Sequence, residues 1–427
     1  MDQRTEKLLT FLDASVSVYH ATAYLEQELL QAGYQKLLEK DAWDLVPGGK
    51  YYLTRGGSAV IAFRVPEGEA QGFLMSASHS DRPCFKVKEN FELTGNYTRM
   101  TTEKYGGMLI APWLDRPLSL AGRVLVKTET GITTKLINLD RDLLMMPNVA
   151  IHMNRKANDG YTWNPAVDTL ALIGGKDSAG KLQKLLEEAA GGEILGHDLY
   201  LYIRQKGCVW GVDEEYVSSA ALDDLECAWC CTQGFLKAGT GSSLPVLCVF
   251  DSEEVGSNST QGAASDLLED TLNRICQALG LNKSRMLAQS FLVSADNAHA
   301  VHPNHPEFAD ANNAPKMNEG VVLKFNASQR YTTDAVSAAI FRSACAKAEV
   351  PVQTFYNRAD LAGGSTLGHI SLTHVSIPTA DIGLPQLAMH SCYETAGVQD
   401  AVWLEEAMAA YYGSTLTADG EGNYSLV

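Results

Sequence analysis

No stretch of this 427-residue sequence approaches the roughly 18 consecutive apolar residues that a membrane-spanning helix requires. The N-terminus is charged, and the amphipathic segment after it lacks the uninterrupted apolar run of a signal peptide. With 45% hydrophobic residues, the chain is nevertheless long enough to bury a large core. We therefore expect a globular cytoplasmic protein without a membrane partner.

Basic residues are scarce relative to acidic ones. The chain carries 34 Lys and Arg against 51 Asp and Glu, a formal net charge of −17 at pH 7. Because recognition of a phosphate backbone needs a basic face, this balance argues against a nucleic-acid partner.

Cysteine is also sparse and forms no disulfide pattern. The nine cysteines are an odd number without regular spacing, which suits free thiols in a reducing compartment. Cys227, Cys230 and Cys231 form one cluster, and on a helix they would share a face. We expect them to pack in the core. A metal site is the alternative, but no pair of Cys or His follows at zinc-finger spacing.

The spacing of hydrophobic residues changes twice along the chain, and these changes indicate domain boundaries. Residues 1–84 start with helical spacing from Lys7 to about Leu38, with a break near Gly33, and continue with short strands. Residues 85–218 show alternating strand patterns with turns, whereas helices and strands alternate in residues 219–427. We predict an α/β fold in which helices flank a mixed sheet, built from the first and last stretches. The middle stretch would be an inserted β-rich domain.

The last stretch gives the clearest individual elements. Its predicted helices lie near 223–237, 262–279 and 334–348, and its predicted strands lie near 244–250, 289–295 and 320–325.

Acidic and imidazole side chains follow apolar strands at several places. His79 ends one such strand, and Asp81 is spaced to hold the free N–H of a metal-bound imidazole. Glu253 and Glu254 follow the next strand of this kind. Asp296 follows a third. Such a concentration of acids is costly unless a cation offsets their repulsion, and ligands bind at this edge of open α/β sheets.

Two more residues complete the pattern. Asp223 lies at the start of a predicted helix, where an ordinary helix cap is the alternative. His390 follows an apolar run, where an ordinary core histidine is the alternative. Since these residues recur beside the strand ends, we predict a metal centre. Its ligands would be His79, Asp223, Glu254, Asp296 and His390.

The number of ligands indicates two ions. One ion would take His79, Asp223 and Asp296. The other would take Asp223, Glu254 and His390, so that Asp223 bridges. Carboxylates and imidazoles suit zinc best, while manganese and cobalt remain open. Two such ions activate water for attack on a carbonyl. Glu253 is not needed as a ligand and would be the general base.

These motifs resemble those of the aspartyl aminopeptidase family, which includes vacuolar aminopeptidase I. The segments that carry the resemblance are 78–83, 113–123, 253–257, 295–303 and 385–391. The resemblance implies a zinc-exopeptidase-like fold and a dinuclear enzyme that removes N-terminal Asp or Glu from peptides. It also implies a dodecamer built from dimers, with subunit contacts made by the inserted domain.

The same resemblance assigns further residues. His152 would enter a neighbouring subunit's site and stabilise the oxyanion, and the substrate pocket would be lined by His299, Lys324 and Tyr331. Lys324 also has a physical rationale, because it ends an apolar strand and an acidic substrate would supply its partner. A structural salt bridge is the alternative for this lysine. Asp224 stands where the family usually has asparagine.

Other functions fit parts of this pattern. A neutral-residue aminopeptidase or a deacylase could use the same scaffold, since a fold does not determine a substrate. A non-catalytic shell protein could keep metal for folding only. Glu253 argues against that last alternative, because a purely structural metal site needs no free base.

Overall fold

The computed structural model describes residues 2–427, and its helices and strands are numbered in chain order. In this part of the chain the α-helices are α1 (Gln3–Ala14), α2 (Val18–Gln31), α3 (Lys181–Ala190), α4 (Leu222–Lys237), α5 (Leu267–Leu279), α6 (Lys283–Leu287), α7 (Ala335–Lys347), α8 (Leu367–Ser371) and α9 (Val398–Tyr412). None of these helices is long and apolar enough to cross a membrane.

The strands fall into two groups along the chain. The first group is β1 (Gln35–Lys36), β2 (Lys50–Arg55), β3 (Ala59–Arg64), β4 (Phe73–His79), β5 (Cys84–Leu93), β6 (Tyr97–Tyr105), β7 (Leu118–Lys127), β8 (Ile132–Asn138), β9 (Ala171–Gly175) and β10 (Ile194–Ile203). The second group is β11 (Cys208–Trp210), β12 (Tyr216–Ser219), β13 (Leu244–Phe250), β14 (Phe291–Ala295), β15 (Ala298–His299), β16 (Val321–Phe325), β17 (Val352–Tyr356), β18 (Thr379–Gly383), β19 (Pro385–Leu387), β20 (Glu394–Gly397), β21 (Leu416–Ala418) and β22 (Tyr424–Leu426).

A nine-stranded mixed sheet forms the centre of the molecule, in the order β1-β2-β3-β13-β4-β14-β18-β16-β17. The four neighbours β13, β4, β14 and β18 run parallel. Because parallel strands bring their carboxyl ends to one edge of a sheet, the residues after these strands are neighbours in space. The predicted mixed α/β sheet is thereby confirmed.

Helices cover both faces of this nine-stranded sheet. One core lies between the sheet and α1, α2, α4, α7 and α9. A second core lies against α5, with side chains from α6 and α8. Both faces of the central strands are therefore buried, which agrees with the unbroken apolar runs of β13 and β14.

The cysteine cluster lies in the first of these cores. Cys227, Cys230 and Cys231 are all buried on α4, and Cys230 Sγ lies 3.3 Å from the carbonyl oxygen of Ala401. All nine cysteines are free, and no described group of potential metal ligands contains one. The contacts of the cluster are those of small core residues.

A six-stranded antiparallel sheet is formed entirely by β5 to β10, in the order β8-β7-β10-β5-β6-β9, and α3 packs against it. This is the β-rich character expected of the middle of the chain. The domain boundaries near residues 84 and 218 stay a prediction. Indeed β11 and β12 belong to a different, five-stranded sheet, in which β12 pairs with β20.

The N-terminal helical stretch differs from the prediction of one break near Gly33. α1 already ends at Ala14, and α2 begins at Val18. Gly33 has a φ of 82° and follows the end of α2, and the chain then forms β1 instead of a further helical segment. β1 pairs in parallel with β2, so contacts with the sheet replace the helical hydrogen bonds that the spacing alone suggested.

A candidate metal centre

The carboxyl-terminal edge of the nine-stranded sheet gathers the predicted ligands. His79 is the last residue of β4, and Asp296 directly follows β14. Glu254 lies in a short 3-10 turn after β13, and His390 follows β19. Asp223 comes from the first turn of α4, where its φ of −81° and ψ of 110° are not helical. Segments far apart in sequence therefore meet at one place.

Asp223 lies between two imidazoles. Its Oδ1 is 3.6 Å from Nε2 of His79, and its Oδ2 is 3.5 Å from Nε2 of His390. The same Nε2 of His390 lies 3.4 Å from Glu254 Oε2. Asp223 therefore offers one oxygen to each side of the site.

The site has the donor atoms and the spacing that a cation needs. Ligand atoms of His79, Asp223 and Glu254 lie within 4.8 Å of one another, as do those of His79, Glu253 and Asp296. Among the described residues, the buried oxygens Asp223 Oδ1 and Glu254 Oε1 accept no hydrogen bond. A buried carboxylate oxygen without a donor is costly, and a divalent cation would offset that cost. The residues present thus fit a metal.

Burial dominates the electrostatics of the acids. It raises the pKa of Glu254 well above its ordinary value and the pKa of Asp296 to about 6. Burial would also raise the pKa of Asp223, but the adjacent imidazoles of His390 and His79 lower it below its ordinary value. Burial therefore favours the protonated forms of Glu254 and Asp296, and a bound cation would favour their ionised forms instead.

Asp81 contacts several residues of the site and holds them in position. Its main-chain oxygen and its Oδ1 lie 3.2 and 3.3 Å from His79 Nδ1, which leaves Nε2 facing Asp223. The main-chain N–H groups of Glu253 and Glu254 also donate to the Asp81 carboxylate, at 3.1 and 3.2 Å. Tyr105, from the six-stranded sheet, donates its hydroxyl at 2.7 Å. No sequence pattern indicated these last three contacts.

Asp224 does not cap the helix. Its Oδ2 accepts the main-chain N–H of His79 at 3.0 Å, and the side chain is fully buried. Burial raises the pKa of Asp224 well above its ordinary value. The residue therefore anchors the end of β4 behind the site.

A cavity of about 750 Å³ opens over these residues and is called the site cavity. Its walls include the predicted base Glu253 and the predicted pocket residues His299, Lys324 and Tyr331. The base and the pocket residues that the sequence analysis predicted therefore line one cavity. The sequence analysis did not predict other residues of its wall, among them Phe355, Thr366 and Met389.

Lys324 is more firmly held than the sequence indicates. The side chain is 2% exposed, and Nζ donates to the main-chain oxygens of Asp296 at 2.6 Å and Asn297 at 3.3 Å. Burial would lower the pKa of Lys324, but Asp296 raises it above its ordinary value, so the side chain is charged. Its Nζ lies 3.9 Å from Asp296 Oδ1. Lys324 therefore supports a predicted ligand and also faces the site cavity.

Among the predicted ligands, catalytic residues and pocket residues, His152 lies away from the site cavity. It is exposed, in a segment of turns between β8 and β9. Within the single chain it does not line the site cavity.

A second cavity, of about 760 Å³, adjoins the site cavity and shares His299 and Phe355 with it. His302, His305 and Phe308 stack along its wall, with ring centroids 5.2 and 5.5 Å apart. The site cavity therefore continues into a groove lined by imidazole and aromatic rings.

Glu226 is a buried acid on α4 with a testable effect on stability. Its Oε1 has no hydrogen-bond partner within residues 2–427. Burial raises the pKa of Glu226 from 4.5 to about 8, so the folded protein binds this proton more tightly than the unfolded chain. The contribution of this proton to the free energy of unfolding is fully present below pH 4.5 and is lost as the pH rises to about 8. We expect the metal-free protein to lose on the order of 1.4 kcal/mol per pH unit across this window from this group.

Glu226→Gln mimics the protonated form and should therefore reduce the loss of stability. The measurement is the Tm of metal-free wild type and variant at about pH 6 and about pH 7.5. Glu406→Gln is the control, since Glu406 pairs with Arg4 at a partly exposed position. An equal fall in Tm for wild type and Glu226→Gln would contradict the expectation.

Comparison with known proteins agrees with this geometry. A family model described as Aminopeptidase I zinc metalloprotease (M18) matches residues 11–412. The chain belongs to the M18 family of aminopeptidases. The family resemblance indicated by the sequence motifs is thereby confirmed. The M18 chain is a metallo-aminopeptidase, and the zinc in the family's description supports the use of a divalent metal.

Relatives of this M18 chain match it over almost its full length. A probable M18 family aminopeptidase 2 from Clostridium novyi is 42% identical over 422 residues, covering 95% of this chain and 98% of the relative. The solved complex of Ape4 and Nbr1 has a chain that is 34% identical, with a TM-score of 0.92 and coverage of 96% of this chain and 85% of that one. The mApe1 dodecamer of S. cerevisiae has a TM-score of 0.84 at 25% identity, with 96% of each chain covered.

Proposed function

We propose that this M18 aminopeptidase removes acidic N-terminal residues, Asp or Glu, from peptides and uses two divalent ions, most simply zinc, to do so. The observation that carries the proposal is the position of Asp223, whose two oxygens face His79 Nε2 and His390 Nε2 at 3.6 and 3.5 Å. A carboxylate that bridges two ions must present one oxygen to each ion, and the two oxygens of Asp223 face two different imidazoles.

Each ion would have three protein ligands. His79, Asp223 and Asp296 would hold the first ion, and Asp223, Glu254 and His390 the second. Three ligands leave coordination positions for water and substrate. When bound, the ions would polarise the peptide carbonyl and make a water molecule more acidic.

Glu253 would move the proton. Its side chain lines the site cavity, and its main-chain N–H is held by Asp81 Oδ1 at 3.1 Å. Burial raises the pKa of Glu253 to about 8, and the positive charge of the bound ions would lower it again. The ionised carboxylate could then take a proton from the attacking water and pass it to the departing amine.

The preference for acidic residues would come from Lys324. An ammonium has three N–H donors, and two of them go to the main-chain oxygens of Asp296 and Asn297. Its charge is also 5.2 Å from the ring centre of Tyr331. A substrate carboxylate in the site cavity would gain a charged hydrogen bond from the remaining donor.

The test is a panel of Asp-, Glu-, Leu- and Lys-para-nitroanilides. A charged hydrogen bond is worth about 1.5–3 kcal/mol, so kcat/KM for Asp should exceed that for Leu roughly 10- to 100-fold. The Asp-to-Leu ratio within one enzyme is its own control for active-enzyme concentration. Faster release from Leu than from Asp would contradict the specificity and leave the metal chemistry standing.

We also infer that the protein is a homo-oligomer, and that it forms a dodecamer built from dimers; the mApe1 structure is a dodecamer as well. An apolar exposed segment supports this. Met153 is 84% exposed and Val167 63% exposed, although both are apolar. Such side chains suit a protein interface. Burial of this segment against a neighbouring subunit would carry His152 with it, toward that subunit's site cavity.

A further inference from the structure

A buried glutamate, Glu394, connects two of the proposed ligands through their main chains. It is the first residue of β20 and is 1% exposed. Its Oε2 accepts the N–H of Asp223 at 3.0 Å, and its Oε1 accepts the N–H of His390 at 2.7 Å. Each oxygen of one carboxylate therefore holds the backbone of a different proposed ligand.

Neither ligand is placed by regular secondary structure. Asp223 has non-helical angles although it lies in the first turn of α4. His390 has a φ of 66°, in the left-handed region that a residue with a side chain adopts only at a cost. Since no helix or strand ladder uses these two N–H groups, Glu394 supplies the bonds that keep both residues in these conformations.

The contacts of Glu394 extend to a third ligand segment. Gln386 Nε2 lies 3.5 Å from Glu394 Oε1, and Gln386 Oε1 accepts Asn297 Nδ2 at 2.7 Å. Asn297 directly follows Asp296. The segments of the proposed ligands Asp223, His390 and Asp296 thus share one buried polar network, in which Glu394 bonds the backbones of Asp223 and His390 directly.

We propose that Glu394 is a positioning residue that sets the distance between Asp223 and His390 and thereby the affinity of the second ion. The first ion would depend less on it, because Glu394 bonds only one of its three proposed ligands, Asp223, directly. Both Asp223 and His390, two of the three ligands of the second ion, are bonded by Glu394. The inference rests on the proposed two-ion function. A merely structural role would lower stability without favouring one ion over the other.

The experiment is a titration of the metal-free full-length protein with Co²⁺, followed by its visible absorption. Glu394→Gln keeps one oxygen acceptor and turns an NH₂ group toward the other N–H. Loss of a residue that orients ligands typically lowers metal affinity about 10- to 100-fold, and we expect this loss for one Co²⁺ only. The affinity for the other Co²⁺ should stay within about threefold of wild type.

Asp400→Asn is the matched control. Asp400 is also buried, and its carboxylate also accepts two main-chain N–H groups, those of Asn318 at 2.5 Å and Gly320 at 2.9 Å. It bonds no proposed ligand, so both Co²⁺ affinities should match wild type. Glu394→Asp is a second test variant, because its shorter side chain withdraws both oxygens while it keeps the charge.

The outcomes separate the two proposals. If the wild type binds one Co²⁺ per subunit, the two-ion function is wrong whatever the variants do. If the wild type binds two and a folded Glu394 variant binds both as tightly, the positioning role is wrong and the function stands. A parallel loss of both affinities would also overturn the positioning role. Weakening of one Co²⁺ alone, absent in Asp400→Asn, supports it.

Discussion

Replacing Glu253 with glutamine is expected to lower kcat about 10²- to 10⁴-fold while the bound metal is retained. The amide cannot accept a proton from water, whereas its size and shape match the carboxylate. The position of residue 253 should persist, because Asp81 holds its main-chain N–H and not its side chain. The effect should therefore fall on proton transfer and leave KM nearly unchanged.

The measurement is kcat on Asp-para-nitroanilide together with metal analysis of the same sample. Asp251→Asn is the control, since Asp251 lies in the same loop and bonds the N–H of Ser252 but does not line the site cavity. Near wild-type kcat in Glu253→Gln would remove Glu253 from its role. Loss of an ion would instead make Glu253 a ligand, which its distance of at most 4.8 Å from donor atoms of His79 and Asp296 permits.

Asp223→Asn should have the largest effect on metal content. Since each Asp223 oxygen would serve one ion, the amide removes an anionic donor from one ion and the bridging charge from both. We expect both affinities to fall by more than the roughly 10- to 100-fold typical of lost outer contacts. Hydrolysis should then drop to background at ordinary metal concentrations.

Metal analysis after dialysis, followed by the hydrolysis assay, tests this expectation. Asp400→Asn is the control, because Asp400 is also a buried acid. Its carboxylate accepts the main-chain N–H groups of Asn318 and Gly320, neither of which is a proposed ligand. Retention of two ions by Asp223→Asn would show that Asp223 is not the shared ligand.

The positions of the site residues were largely predictable because the central strands are unbroken apolar runs that end in acids or histidine. The strand predicted near 244–250 is β13, Leu244–Phe250, and the helix predicted near 334–348 is α7, Ala335–Lys347. Since β4, β13 and β14 are parallel neighbours, residues at their ends had to converge. The ligand roles of these residues stay a prediction.

Other features depend on contacts that no local pattern encodes. The conformation of Asp223 is fixed by Glu394, which lies on a strand near the end of the chain. Lys324 bonds the main chain of Asp296, which the strand order β14-β18-β16 brings within reach. The short strand β1 depends on its pairing with β2.

The hydroxyl of Tyr105 crosses from the six-stranded sheet to the carboxylate that orients His79. A displacement of one sheet relative to the other would therefore break the hydrogen bond between Tyr105 and Asp81 or rotate the imidazole of His79. If the proposed oligomer forms through the six-stranded sheet, its assembly would act on the geometry of His79 through these two contacts.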